Sequence, residues 1–148
     1  MRFVSDSPAK TKRLGILLAK EILKTRDNDS VIIALRGDLG AGKTTFIQGI
    51  ARGLGLKHKI TSPTFIIFRH YRLKNISREH FFHVDAYRIK KFSELGPLNF
   101  KEMISFPKSI VLIEWPEKIR RALPKKTNWL EFRHGRKENE RIININTK

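Results

Sequence analysis

The run SVIIALR, Ser30 to Arg36, feeds directly into GDLGAGKTT, Gly37 to Thr45, and this junction limits the chain to few folds. An uninterrupted apolar strand is buried on both faces, as strands of a parallel sheet are. The segment KTTFIQGIARGLG that follows has helical periodicity, with Phe46, Ile47, Ile50 and Leu54 on one face and Gly55 placed to end it. Strand, glycine loop and helix in that order predict an α/β domain. Gly37 to Thr44 fit the pattern G-x-x-x-x-G-K-[ST]. Its glycines let the backbone come close to a ligand, and successive N–H groups can then line an anion nest. The helix N-terminus adds positive potential, Lys43 a point charge, and Thr44 a hydroxyl suited to Mg²⁺. A turn without a ligand has no use for the Lys-Thr pair. The segment reads as a polyphosphate cradle for a nucleoside triphosphate.

The rest of the chain supports one such domain over residues 1–148. SPAKTKRLGILLAKEIL predicts a helix capped by Ser7, with Pro8 in its first turn and Leu14, Leu17, Leu18 and Ile22 inward. KITSPTFIIFRHYRL reads as a loop and then a strand, and His80 to Val84 as a second strand forming a hairpin with it across KNIS. SELGPLNFKEMI predicts short broken helices, SIVLIEW a buried strand, and PEKIRRAL a helix with Pro116 in its first turn. NWLEFRH and ERIININ predict an antiparallel pair. The expected architecture is a single P-loop NTPase domain, with a mixed, mainly parallel sheet flanked by helices and antiparallel C-terminal strands.

A triphosphate site needs an acid for the metal or for the attacking water. Asp85 of HVDAY and Glu114 of VLIEW both follow apolar strands, and in a parallel sheet ligand groups gather at the strands' carboxyl ends. The guanine-reading patterns N-K-x-D and D-x-x-G do not occur, which leaves ATP as the expected nucleotide. His80 and His83 are three apart on a strand and point to opposite faces, so they are poor partners for a metal. Trp115, beside Glu114, fits packing or a place in the site.

With no cysteine, disulfides and thiolate-metal sites are excluded, and a reducing compartment fits. The apolar runs are too short to span a bilayer and MRFVSDSPAK has no apolar signal region, so a cytoplasmic location is expected. The net charge of +17 fits either a polyanionic partner such as RNA or a bias in composition. The basic residues are spread along the chain rather than gathered in a tail.

GDLGAGKTTFIQGIARGLG, TSPTF, HVDAYR and LIEWPEK, in this order and spacing, resemble the TsaE family, the bacterial ATPases of tRNA threonylcarbamoyladenosine biosynthesis. The resemblance runs from TKRLG to Leu123 and Pro124. It implies an ATPase that works with TsaB and TsaD and supports installation of threonylcarbamoyl on tRNA without transferring the group itself. It further implies that Gly40, Ala41, Gly42, Lys43, Thr44 and Thr45 hold the phosphates, that Thr44 and Glu114 hold Mg²⁺, and that Asp85 is needed for activity. Thr11 matches a threonine on the nucleotide side, and Thr64 of TSPTF a switch-loop threonine. The family commonly has HFDLYR where this chain has HVDAYR, and ELGPLNFKEM lacks the usual extra acids. Nothing carries over to the C-terminal pair. Two other functions share these features: a small-molecule kinase, for which 148 residues leave little room for an acceptor pocket and lid, and a nucleotide-sensing RNA-binding module.

Overall fold

The computed structural model describes residues 1–57, 60–61, 67–74 and 76–146. Its strands are β1 (Arg2–Ser5), β2 (Val31–Gly37), β3 (Phe68–Arg72), β4 (His80–Asp85), β5 (Ser109–Glu114), β6 (Asn128–His134) and β7 (Arg141–Asn146). The helices are α1 (Pro8–Lys24), α2 (Lys43–Gly53) and the short α3 (Phe100–Ile104), with 3₁₀ segments at Phe92–Leu98 and Pro116–Ala122. All seven strands join one sheet in the order β1-β7-β6-β2-β5-β4-β3. The central strands β6, β2, β5 and β4 run parallel. β3, β7 and β1 add antiparallel pairs at the two edges.

The sheet separates two apolar layers. Ile33 and Leu35 of β2 pack with Phe46, Ile47 and Ile50 under α1 and α2. Ile32 points to the other face, with Val84, Val111 and Ile113, under α3 and the 3₁₀ segments. β4 and β5 are buried along their whole length, including the polar His80, His83, Asp85 and Glu114. The functional consequence is that the carboxyl ends of β2, β4 and β5 meet at one edge of the molecule.

α1 begins as the sequence predicts, with the Ser7 hydroxyl accepting from the Lys10 N–H at 3.2 Å and Pro8 in the first turn. Of the residues expected inward, Ile22 is buried and Leu14 and Leu18 pack against the core. Leu17 is exposed, and the buried positions are Thr11, Gly15, Ala19 and Ile22. The cause is the close crossing of α1 on α2. A Cβ on Gly15 would lie 2.3 Å from the Phe46 carbonyl oxygen, and one on Gly49 would lie 2.1 Å from that of Lys12. Small residues form the contact, so the helix turns them inward and the leucines flank it. The segment after Pro116 is a 3₁₀ turn kinked at Ile119 rather than an ordinary helix. The C-terminal hairpin of β6 and β7 forms as expected, and β1 is an addition: four residues whose partner, β7, lies at the far end of the chain.

Candidate functional site

A cavity of about 470 Å³ opens where the glycine loop, α1, the ends of β4 and β5, and the C-terminal hairpin come together. Gly42 is the residue before the first turn of α2 and sits in the left-handed region at φ 98°. This conformation suits glycine and strains other residues. No side chain among the described residues caps the helix, so among them the first-turn N–H groups at Lys43, Thr44 and Thr45 keep the orphan character of a helix start. A Cβ on Gly42 would come within 3.4 Å of Arg141 Cγ and 3.7 Å of Thr11 Cγ2. These are ordinary contacts, so the left-handed backbone rather than lack of space is what calls for glycine at this position.

Lys43 is buried, and its ammonium donates to the backbone carbonyls of Gly37 and, at 3.1 Å, Asp38. Its Nζ also lies 4.5 Å from the centroid of the Trp115 ring. Burial pushes the ammonium below its ordinary pKa, against the opposing pull of the Glu114, Glu117, Asp38 and Asp85 carboxylates. Trp115 adopts a left-handed backbone conformation at φ 55°, a strained state for a bulky residue that costs on the order of 1 kcal/mol or more. The Tyr87 ring packs on it with centroids 5.1 Å apart.

Asp85 and Glu114 end neighbouring parallel strands and are paired in register. Both are buried and both line the cavity. Asp85 Oδ1 accepts from the Tyr87 N–H at 3.0 Å, which shapes the turn leaving β4. Glu114 Oε2 is 2.8 Å from His83 Nε2. On the other side of the cavity, the Thr11 hydroxyl donates to Ser5 Oγ at 2.9 Å. Ser5 is in register with Arg141 across β1 and β7. Arg141 Nε in turn donates to the Gly40 carbonyl at 3.2 Å. The two ends of the chain thus close over the glycine loop.

With this arrangement in view, the relatives are informative. The sequence model of one family, described as "Threonylcarbamoyl adenosine biosynthesis protein TsaE", matches residues 5–143. This chain belongs to the TsaE family. Among curated TsaE relatives, the tRNA threonylcarbamoyladenosine biosynthesis protein TsaE of Treponema pallidum is 32% identical over 133 residues, which cover 90% of this chain and 91% of that one. The same-named protein of Bacillus subtilis is 37% identical over 124 residues, covering 84% and 72% of the two chains. That of Haemophilus influenzae is 36% identical over 112 residues, covering 76% and 68%. The crystal structure of Bacillus subtilis YdiB superposes with a TM-score of 0.75 at 25% identity, over 99% of this chain and 84% of that one.

Of the TsaE positions expected from the sequence, Thr11, Gly40, Gly42, Lys43, Thr44, Thr45, Asp85 and Glu114 all line the cavity. Ala41 does not: its side chain is buried in the core beneath α2, and only its backbone belongs to the loop. Thr64 lies outside the described residues. His80 and His83 do point apart. His80 pairs with His70 on the outer part of the sheet, and His83 pairs with Glu114. Sequence reasoning missed Arg141 and Asn139, which line the cavity from the C-terminal hairpin. No local pattern marks them, and it is the parallel pairing of β6 with β2, together with the β6–β7 hairpin, that brings them there. It also missed His83 as the partner of Glu114, although His83 precedes Asp85 by two residues and so shares its face.

Proposed function

We propose that this chain binds ATP with Mg²⁺ in the cradle and hydrolyses it in support of threonylcarbamoyladenosine modification of tRNA, acting with TsaB and TsaD. The observation that carries the reading is the uncapped first turn of α2, facing a cavity shared with Lys43, Asp85 and Glu114. N–H groups with no side-chain cap at a helix start, one ammonium and two carboxylates suit a triphosphate and a divalent cation. Neutral or purely cationic ligands would leave them poorly matched.

The backbone N–H groups of Lys43, Thr44 and Thr45 would hold phosphate oxygens, and the Lys43 ammonium would exchange its loop carbonyls for them. The Thr44 hydroxyl and Glu114 carboxylate would hold Mg²⁺, which when bound neutralises charge on the phosphates. Asp85 would orient the attacking water as a hydrogen-bond acceptor. Arg141 supplies a guanidinium at the cavity wall, where it counters phosphate charge. The absence of N-K-x-D favours adenine over guanine. No helix among the described residues is long and apolar enough to cross a membrane, in keeping with work on tRNA in the cytoplasm.

ATPase assays on the chain alone, and with TsaB and TsaD, with and without tRNA, test this reading. Mg²⁺-dependent hydrolysis that rises with the partners is the expected result. A folded chain that neither binds ATP nor turns it over in any of these mixtures would refute it. Transfer of the terminal phosphate to a small acceptor would favour a kinase instead.

A further inference from the structure

The ATPase reading gives no part to His83, yet His83 touches one of its central groups. The ring is only 1% exposed. Its strand position, two before Asp85, sends it to the same face of the sheet as Asp85. In the parallel register His83 pairs with Leu112 and Asp85 with Glu114, so Glu114 lies on the diagonal from His83. There Nε2 meets Glu114 Oε2 at 2.8 Å. Nδ1 is buried and has no hydrogen-bond partner among the described residues.

These facts decide how the ring is used. A carboxylate oxygen only accepts, so Nε2 carries the hydrogen and donates it. Nδ1 then keeps a lone pair, and an unmatched lone pair costs less than an unmatched N–H on a charged ring. A ring of this size could fill the space as Phe does, without leaving any polar atom unmatched. What the imidazole adds is the donor at Nε2, fixed in direction by the packed strand.

We propose that His83 is a positioning residue for the cation site: its Nε2–H holds Oε2 of Glu114 at 2.8 Å and so fixes the orientation in which the carboxylate serves as an oxygen ligand for Mg²⁺. A carboxylate tethered at one oxygen loses less rotational freedom on binding the cation, which raises affinity without a new contact. The proposal rests on the Mg²⁺–ATP reading above and deepens it.

The test measures the Mg²⁺ concentration for half-maximal binding of a labelled ATP analogue, and separately the affinity for the analogue in EDTA. The variants are His83→Leu, His83→Gln and Glu114→Gln, singly and with each His83 change on the Glu114→Gln background. His83→Leu keeps bulk and removes the donor, and is expected to raise the Mg²⁺ midpoint by about 10-fold or more. The Gln amide nitrogen reaches as far as Nε2, so His83→Gln is expected to stay within about 3-fold of the unaltered chain. On the Glu114→Gln background the His83→Leu effect is expected to shrink below about 2-fold, because the residue acts through Glu114. Affinity in EDTA is expected to stay unchanged by the His83 substitutions. If His83→Leu does not fold, His83→Asn replaces it, since its shorter amide cannot reach Oε2. The proposal is overturned by a wild-type Mg²⁺ midpoint in folded His83→Leu, or in His83→Asn where that replaces it, by a matching fall in EDTA, or by an undiminished effect without Glu114. Failure of the ATP reading shows separately, as a lack of Mg²⁺-dependent binding in the unaltered chain.

Discussion

The Lys43 ammonium lies 4.5 Å from the centroid of the Trp115 ring while it donates to the carbonyls of Gly37 and Asp38. The lysine is thus held by its own loop and by an aromatic face at once. A triphosphate in the cradle offers stronger, charged acceptors and would draw Nζ away from all three.

Two measurements follow for Lys43. ATP added to the wild-type chain is expected to change the Trp115 emission as the ammonium leaves the ring. Lys43→Ala is expected to keep the fold and to weaken ATP binding by at least about 100-fold, the range for losing a desolvated charge partner. Wild-type affinity in a folded Lys43→Ala protein would refute the phosphate assignment. Trp129 also emits, so a Trp129→Phe background isolates the Trp115 signal.

Gly49 sets how closely α1 lies on α2, and through that crossing where Thr11 stands relative to the cradle. A Cβ there would be 2.1 Å from the Lys12 carbonyl oxygen, a backbone atom that cannot turn aside. Gly49→Ala is expected to destabilise the protein by about 3 kcal/mol, as overpacking does, and to lower Tm by roughly 5–10 °C. Gly96→Ala, where nothing lies within 4 Å of the added Cβ, is the control and is expected to change stability by less than about 0.5 kcal/mol. Equal melting of both variants would show that the crossing relaxes freely.

The contrast between Gly42 and Gly49 shows what a single sequence reveals. Gly42 belongs to a local pattern with a chemical purpose, so the strand, loop and helix around it could be read directly. Gly49 has no such pattern, because its reason is a carbonyl on another helix. Leu17 was expected inward for the same reason: helical periodicity identifies an apolar stripe but not the small-residue seam that α2 selects. Asp85 and Glu114 were legible because each ends an apolar strand at the edge where the loop also lies. Arg141 was not, since it reaches the cavity through the long-range pairing of β6 with β2, which sets the β6–β7 hairpin beside the glycine loop. Arg78 is a further case: it is fully buried and its guanidinium donates to Asp27 Oδ1 at 3.1 Å and to Thr25 Oγ1, a role its exposed-looking surroundings do not announce.

The His70–His80 pair gives a pH dependence that is distant from the cavity. Their ring nitrogens share a hydrogen bond at 2.9 Å, which needs one donor and one acceptor. Burial, then the neighbouring His80 and Arg72, pushes His70 below its ordinary value of 6.5. A depressed value means that the unfolded chain takes up this proton first on acidification. The His70 contribution is therefore full above about pH 6.5, and stability falls as the pH drops through the lower folded value. His70→Phe keeps the ring that stacks on Phe82 at 4.4 Å and removes the titrating group. Its Tm is expected to fall less than that of the wild type between about pH 7.5 and 5. Parallel curves for the two proteins would show that His70 does not carry the effect.

Asp85 is expected to matter for turnover more than for binding. It stands on β4, apart from the glycine loop, and its register with Glu114 puts it beside the carboxylate proposed for the cation. Oδ1 already accepts the Tyr87 N–H at 3.0 Å, a bond that Asn can keep. Asp85→Asn thus preserves size and turn geometry while removing the charge that would orient a water for in-line attack. ATP affinity is expected to stay within a few-fold of wild type, and hydrolysis to fall by about 100-fold or more. Asp85→Ala also loses the turn bond, and is expected to lower Tm where Asp85→Asn does not. The comparison belongs in the mixture with TsaB and TsaD, where turnover is expected to be highest. Equal losses of binding and turnover in Asp85→Asn would make this residue a cation ligand or a structural one, and the water would need another acceptor.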